Sequence, residues 1–297
     1  MLTPFFTDIL INATLAIIML GVGMSLTTKE FKRLLQNPKG LVVALSTQLF
    51  LVPALAFLLA YYSGLAPAMQ VGMVIVSACA SGASSNLVTH LFRGNVALAI
   101  SMTTLNSLIT LISLPAVSNL ALWFFMKTDA GIKLPFLHTM IQIFLVTLLP
   151  ATVGMFIRYI RPAFAIGLDK PLRYLLPVLL AIVFTIKIFG GTKSGGTGIT
   201  SFDIYNVIPW MLALNIGAML IGFITGKLLQ LEFRDRYTIS IEVGLHNTAL
   251  ALVIAGTILH NSEMEKPAVV YAMFSFFTAI GFVFVIKKWF NLKNALK

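Results

Sequence analysis

The chain has 297 residues, of which 58% are hydrophobic and only 10% charged, against roughly 25% charged in an ordinary soluble domain. With a mean hydropathy of +0.94, the composition excludes a water-soluble globule and leaves no separate soluble domain beside the apolar runs. The net charge of +11 would suggest nucleic acid in a soluble protein, so its distribution along the chain has to decide its meaning.

The apolar runs predict nine spans at about 6–26, 41–63, 69–92, 95–126, 135–156, 172–190, 204–229, 237–259 and 268–286. Runs near 20 residues are long enough to cross a hydrocarbon core about 30 Å thick. Alternate connections collect the basic residues. Lys29, Lys32, Arg33, Lys39, Arg93, Arg158, Arg161, Lys170, Arg173, Lys227, Arg234, Arg236, Lys287, Lys288, Lys293 and Lys297 fall on one side, 16 of the 21. Lys127, Lys133, Lys187, Lys193 and Lys266 fall on the other. The positive-inside rule then predicts a multi-pass cell-membrane protein with its N-terminus outside and its C-terminus in the cytoplasm. The lipid bilayer is the expected partner at this point; nucleic acid is not, because no basic patch interleaves with aromatics, and no obligate protein partner is evident. The first run has neither a basic leader nor a clear small-residue cleavage site and reads as a retained helix. Cys79, the lone cysteine, lies in an apolar span and reads as packing.

Two spans depart from the Leu/Val composition of the others. The third carries Ser77, Cys79, Ser81, Gly82, Ser84, Ser85, Asn86 and Thr89, and the eighth carries Glu242, Gly244, His246, Asn247 and Thr248. Both are expected to be broken helices, since unwound backbone at membrane depth is tolerated only inside protein or beside a water-filled cavity. Other features read as packing: Gly222 and Gly226 as a close helix contact, Phe274, Phe276 and Phe277 as lipid or core contacts. Pro53, Pro115, Pro150 and Pro177 read as local kinks. The Gly- and Ser-rich connection from Gly190 to Asp203 reads as flexible or shallowly re-entrant.

Of ten acidic residues, nine fall in connections or near span ends, and only Glu242 lies inside a span. An ionised carboxylate there costs about 2.5–3.5 kcal/mol on insertion scales, and no Lys or Arg lies at similar depth to neutralise it. A bound cation is the favoured compensation, set against a protonated or internally hydrogen-bonded structural glutamate. Sodium prefers several oxygen ligands, and the segment Glu242 to Asn247 offers a carboxylate beside carbonyls freed by local unwinding at Gly244. Ser84, Ser85, Asn86, Thr103 and Thr104 add neutral oxygens. Two interrupted spans at corresponding places in two halves, four spans and then five, predict an all-α inverted-repeat transporter whose first repeat lacks its first helix.

Several segments carry a family resemblance. Cys79-Ala80-Ser81-Gly82-Ala83-Ser84-Ser85-Asn86, Arg93-Gly94-Asn95-Val96-Ala97-Leu98 and Ser101-Met102-Thr103-Thr104 resemble the fourth and fifth helices of the bile acid:sodium symporter family. Ile241-Glu242-Val243-Gly244-Leu245-His246-Asn247 resembles that family's EVG-x-QN crossing segment, and Leu20-Gly21-Val22-Gly23-Met24 and Gln48 with Pro53 match further positions. The resemblance spans nearly the whole chain. It implies one transporter unit over 1–297, with a core domain at about 41–126 and 204–286 containing two crossed, discontinuous helices. A panel domain at about 6–26 and 135–190 would move against it.

The resemblance also implies two sodium sites. One would use Ser85, Asn86, Thr103 and Glu242; the other would use Gln48, Glu242, the carbonyls of Val243 and Leu245, and His246. Substrate would meet Ser84, Asn247 and Thr278 near the crossing. Three positions depart from the family pattern: Ala99 replaces a ligating Ser, Ala80 a common Pro, and His246 the usual Gln. The histidine leaves open a weakened second site, a reoriented ligand set, or partial proton coupling. The expected function is sodium-coupled symport of a bile acid-like or smaller organic anion by alternating access, not catalysis. Two other readings were weighed: a cation/proton antiporter or proton-coupled organic-anion transporter using Glu242 and His246, and an intramembrane hydrolase using Ser84 or Ser85 with His246 or His90.

Overall fold

The computed structural model describes residues 4–25, 38–127, 136–191 and 195–295. Lys29, Lys32, Arg33, Lys133, Lys193 and Lys297 of the charge pattern lie outside the described residues. The fold is an all-helical membrane bundle. Its elements are α1 (Pro4–Ser25), α2 (Pro38–Tyr62), α3 (Pro67–Ala78), α4 (Ala83–Leu91), α5 (Val96–Met126) and α6 (Leu137–Ile160). There follow α7 (Pro162–Phe189), α8 (Ser201–Leu228), α9 (Phe233–Gly244), α10 (Thr248–Ile258) and α11 (Ser262–Ala295). Among the described residues, five of these (α2, α5, α6, α8 and the Ser262–Trp289 part of α11) are long and apolar enough to cross a membrane, and shorter apolar helices accompany them.

The two anomalous stretches are helix breaks. The third apolar run is divided between α3 and α4, and the eighth between α9 and α10. Every residue from Val71 to Gly82 and from Tyr237 to His246 is buried, so these elements form the centre of the bundle while neighbouring helices face lipid. Helix packing falls into two groups. α1, α6 and α7 pack closely on one another, whereas α2, α3, α5, α8, α9 and α11 pack around the breaks.

Glycines mark the tightest contacts. A Cβ on Gly23 would lie 2.0 Å from the Ala151 carbonyl oxygen, and one on Gly154 would lie 2.3 Å from that of Leu20, so α1 and α6 meet backbone to backbone. Gly222 and Gly226 face Ser240, Val243 and Arg236 of α9, the packing role their spacing implies.

Three helices contain a π turn, over Thr47–Leu51 in α2, Phe144–Leu148 in α6 and Val253–Ile258 in α10. The first two precede Pro53 and Pro150, whose missing N–H disrupts the regular ladder one turn back. These turns carry Gln48, Thr147 and Gly256, and each of the three occupies a position of consequence below.

Some sequence boundaries shift. α7 begins at Pro162, ten residues before the apolar run, because proline fits a first helical turn, where its missing N–H is no loss. The Gly190–Asp203 connection is not loose over its described part. Thr197 is buried and donates from its N–H and hydroxyl to the Lys187 carbonyl at 3.0 and 2.9 Å. Thr200 and Asp203 then form a capping box that starts α8.

Candidate functional site

The two breaks touch. Ser81 and His246 form an antiparallel bridge, with the Gly82 N–H donating to the Leu245 carbonyl at 2.7 Å and the Asn247 N–H to the Ala80 carbonyl at 2.8 Å. Backbone groups that each helix loses by breaking are thus satisfied by the other break, as a low-dielectric interior demands. A Cβ on Gly82 would come within 3.2 Å of the His246 carbonyl oxygen, which accounts for glycine at the crossing. Gly244 differs from expectation: its φ is not positive, and a Cβ there would lie 2.3 Å from Met219 Cγ, so it serves close packing on α8 rather than a left-handed turn.

The remaining carbonyls at the ends of α3 and α9 are held by amide side chains from neighbouring helices. Gln48 Nε2 donates to the carbonyls of Ser77 and Cys79 at 3.0 and 3.3 Å. Asn215 Nδ2 on α8 donates to the Gly244 carbonyl at 2.7 Å and to the Tyr271 hydroxyl at 2.9 Å, and Tyr271 donates to the same carbonyl at 2.7 Å. Asn247 caps α10 by accepting from the Leu250 N–H at 3.0 Å. The loop after α4 is fixed as well: Arg234 and Tyr237 donate to the Arg93 carbonyl, and Asn95 donates to Asp235 at 2.7 Å while capping α5.

Glu242 is fully buried in the last turn of α9. Thr103 Oγ1 donates to its Oε2 at 3.0 Å, and the hydroxyls of Ser81 and Ser85 are its other polar neighbours. Asn86 Nδ2 reaches Thr103 Oγ1 at 3.2 Å. The structure therefore brings together the adjacent Ser85 and Asn86, Thr103 17 residues beyond Asn86, and Glu242 139 residues beyond Thr103 into one cluster. Within it Glu242 Oε1, Asn86 Oδ1 and Ser81 Oγ have no hydrogen-bond partner, and Glu242 has no ion pair among the described residues. Three buried oxygens without donors, one of them a carboxylate oxygen, are the complement of a small hard cation.

Gln48 Oε1 is buried without a partner on the other flank of the crossing, as are both ring nitrogens of His246, whose ring stacks on Tyr271 with centroids 5.6 Å apart. The Leu245 carbonyl already accepts from Gly82, which leaves it one lone pair. Ser84 lies half-buried on α4. Thr278 is engaged away from the crossing strands: its hydroxyl donates to Asn215 Oδ1 at 2.5 Å, buttressing the amide that holds Gly244.

A small pocket, about the size of one water molecule, adjoins the crossing, lined by Ala80, Asn247 and Leu250 from the breaks, Ser107 and Thr110 from α5, and Met19, Ile143 and Thr147 from α1 and α6. It thus lies between the two helix groups. Asn247 is the one expected substrate residue that lines it. Asn215, Tyr271, Ser107, Thr110 and Thr147 were not anticipated. Asn215 had a readable signal, a lone amide in an otherwise apolar run, like Gln48 in its own span.

A second buried carboxylate was likewise missed. Glu265, assigned by position to a span end, is 2% exposed and paired with Lys187. Nearness to a helix end in sequence does not measure depth in protein: Lys187 of α7 and Gly256 of α10 lie against Glu265.

Known proteins of several origins resemble the chain. It is 30% identical to the "Probable sodium/metabolite cotransporter BASS1, chloroplastic" of Arabidopsis thaliana over 86% of this chain and 61% of that protein. It is 29% identical to the "Uncharacterized sodium-dependent transporter YocS" of Bacillus subtilis over 82% of this chain and 73% of the relative. With the human "Sodium/bile acid cotransporter 4" it shares 28% over 95% of this chain and 64% of the relative. The chain thus spans about three fifths of the length of the first of these relatives. The sequence pattern of the Sodium Bile acid symporter family, a family of transporters rather than enzymes, matches residues 13–194. With that match and a 30% identical relative over most of its length, this multi-pass membrane protein belongs to the sodium bile acid symporter family.

Proposed function

We propose that the chain is a sodium-coupled symporter of a bile acid-like or smaller organic anion, working by alternating access. The observation that carries this reading is Glu242, a buried carboxylate with a bare oxygen amid unpartnered neutral oxygens and no cationic side chain. One sodium ion would bind Ser85, Asn86, Thr103 and Glu242. A second would use Gln48, Glu242, the carbonyls of Val243 and Leu245, and His246. Once the pocket opens, a substrate anion would meet Asn247 and the N-terminus of α10, whose dipole favours negative charge; Ser84 and Thr278, the other substrate residues the resemblance implies, do not line the pocket in this structure.

Counted with each broken pair as one crossing, the chain makes nine spans with the N-terminus outside and the C-terminus cytoplasmic. Two further observations support an inverted repeat with a core and a panel. Gln48 and Asn215 play the same part for α3 and α9, and α1, α6 and α7 pack as a group apart from the helices around the breaks. Sodium at the crossing would fix the two breaks in the shape that binds substrate, so that each ligand raises the affinity for the other.

The test is uptake into proteoliposomes of a radiolabelled bile acid and, separately, of a small hydroxy acid. Uptake is expected only with an inward sodium gradient and is expected to vanish in Glu242→Ala, while the protein still inserts and elutes as a single species. Equal uptake in sodium and choline buffers overturns the reading. The two unpartnered nitrogens of His246 beside the carboxylate favour one alternative, cation/proton exchange, which predicts proton release when sodium is added without substrate.

A further inference from the structure

A buried ion pair joins the helix group α1, α6 and α7 to the helices around the breaks. Lys187 Nζ, two residues before the end of α7, lies 2.6 Å from Glu265 Oε1 in the first turn of α11, with both side chains 3% exposed. Lys187 is pinned from behind by Thr197, which bonds its carbonyl twice. Glu265 in turn lies over α10. A Cβ on Gly256 would fall 1.8 Å from Glu265 Oε1, so the missing side chain at Gly256 is what admits the carboxylate. Asp8 of α1 is the other charged group whose field reaches Glu265.

We infer that Lys187–Glu265 is a latch that holds α7 against α10 and α11 at the end of the bundle opposite Arg93, Arg234 and Lys287, and that its closure is sensed from the crossing through α10. This rests on the alternating-access reading above. Separating the two helix groups at that end must break the pair, and removing one member of a buried pair leaves the other charge uncompensated, so the closed form loses stability relative to any form that hydrates both. α10 links the two places directly. It starts at the Asn247 cap at the crossing and, nine residues on, carries Gly256 under Glu265. A shift of α10 on filling the crossing would move the floor on which the carboxylate rests. The π turn at Val253–Ile258 places Gly256 at that contact.

The test places a reporter cysteine at Thr147, on the pocket wall, and follows its modification by a membrane-impermeant maleimide from the Lys187 side in proteoliposomes. The same variants without the reporter give the background from buried Cys79. In the reporter protein with Lys187 and Glu265 intact, sodium is expected to change the labelling rate; if it does not, the alternating-access reading fails. Where it does, Lys187→Met and Glu265→Gln are expected to label about tenfold faster or more. Lys187→Arg is expected to stay near the parent, and the exchange Lys187→Glu/Glu265→Lys to return toward it. Labelling of both single variants at the parent rate overturns the latch alone. Should the single variants not fold, Gly256→Ala, which keeps both charges but displaces the carboxylate, carries the same expectation and the same refutation.

Discussion

Glu242 and Glu265 are both withdrawn from solvent, at 0% and 2% exposure, yet they are satisfied in opposite ways. Glu265 meets the Lys187 ammonium at 2.6 Å across two helices, a complete pair of fixed charges. Glu242 meets hydroxyls, one of them the Thr103 donor at 3.0 Å, and its Oε1 has no hydrogen-bond partner. A buried charge with a built-in counter-ion belongs to architecture or to a contact between parts. One surrounded by neutral oxygens needs either its own proton or a cation the protein does not itself supply. On the function proposed above, the polarity of each neighbourhood, rather than burial alone, separates the structural carboxylate from the ion site.

The largest expected effect separates the two directly. Thermal unfolding of the purified protein should shift upward on replacing choline by sodium, since a ligand at a hundred times its dissociation constant stabilises by about 2.7 kcal/mol. Glu242→Gln is expected to abolish that shift while keeping a folded protein, because the amide supplies its own donor to the bare oxygens. Glu265→Gln is expected to lower stability by about 3–5 kcal/mol, having stranded Lys187, yet to retain the sodium shift. A sodium shift preserved in Glu242→Gln removes the distinction between the two carboxylates.

Asn86 sharpens the same contrast at smaller scale. Its Oδ1 is one of the unpartnered oxygens of the cluster among the described residues, and its Nδ2 donates to the Thr103 hydroxyl. Asn86→Ala deletes one neutral ligand without touching the carboxylate, so the sodium concentration for half-maximal uptake is expected to rise about tenfold, a loss of about 1.4 kcal/mol. An unchanged requirement would take Asn86 out of the ion site.

How much of this was legible beforehand follows from what each signal depends on. Spans, breaks and the outlying Glu242 depend on local composition, and hydropathy and spacing reveal them. The cluster of Ser85, Asn86, Thr103 and Glu242 came through resemblance, because the contact between α5 and α9 joins residues 139 apart and no periodicity encodes it. Lys187–Glu265 was invisible for the same reason, compounded by a rule of thumb: charged residues at span ends are read as solvated, and only the fold shows both side chains buried, with Gly256 of α10 against Glu265. Asn215 stood in plain view as a lone amide among apolar residues. Its role was unreadable, since a buried amide in a helix can support packing, a ligand or, as here, the carbonyl end of a broken neighbour. Gly244 carried the opposite error: its type suggested backbone freedom, whereas Met219 pressed against it explains the residue by space.

The smallest expected effect concerns two adjacent threonines that sequence alone ranks equally. The Thr103 and Thr104 hydroxyls both lie within hydrogen-bond reach of the carbonyl one turn back, at 3.0 and 2.8 Å, and Thr103 has a single proton to share between that carbonyl and Glu242 Oε2. Only Thr103 also faces Glu242. Their side chains point about 100° apart around α5, so one looks into the cluster and the other lies half-buried beside it. Thr103→Val therefore strips the carboxylate of its donor and is expected to raise the sodium requirement several-fold. Thr104→Val, losing a backbone-directed bond that helices readily forgo, is expected to change uptake and stability by no more than about 0.5 kcal/mol. Equal effects from the two variants, measured as sodium titrations of uptake side by side, would mean that the hydroxyls act on the helix and not on Glu242.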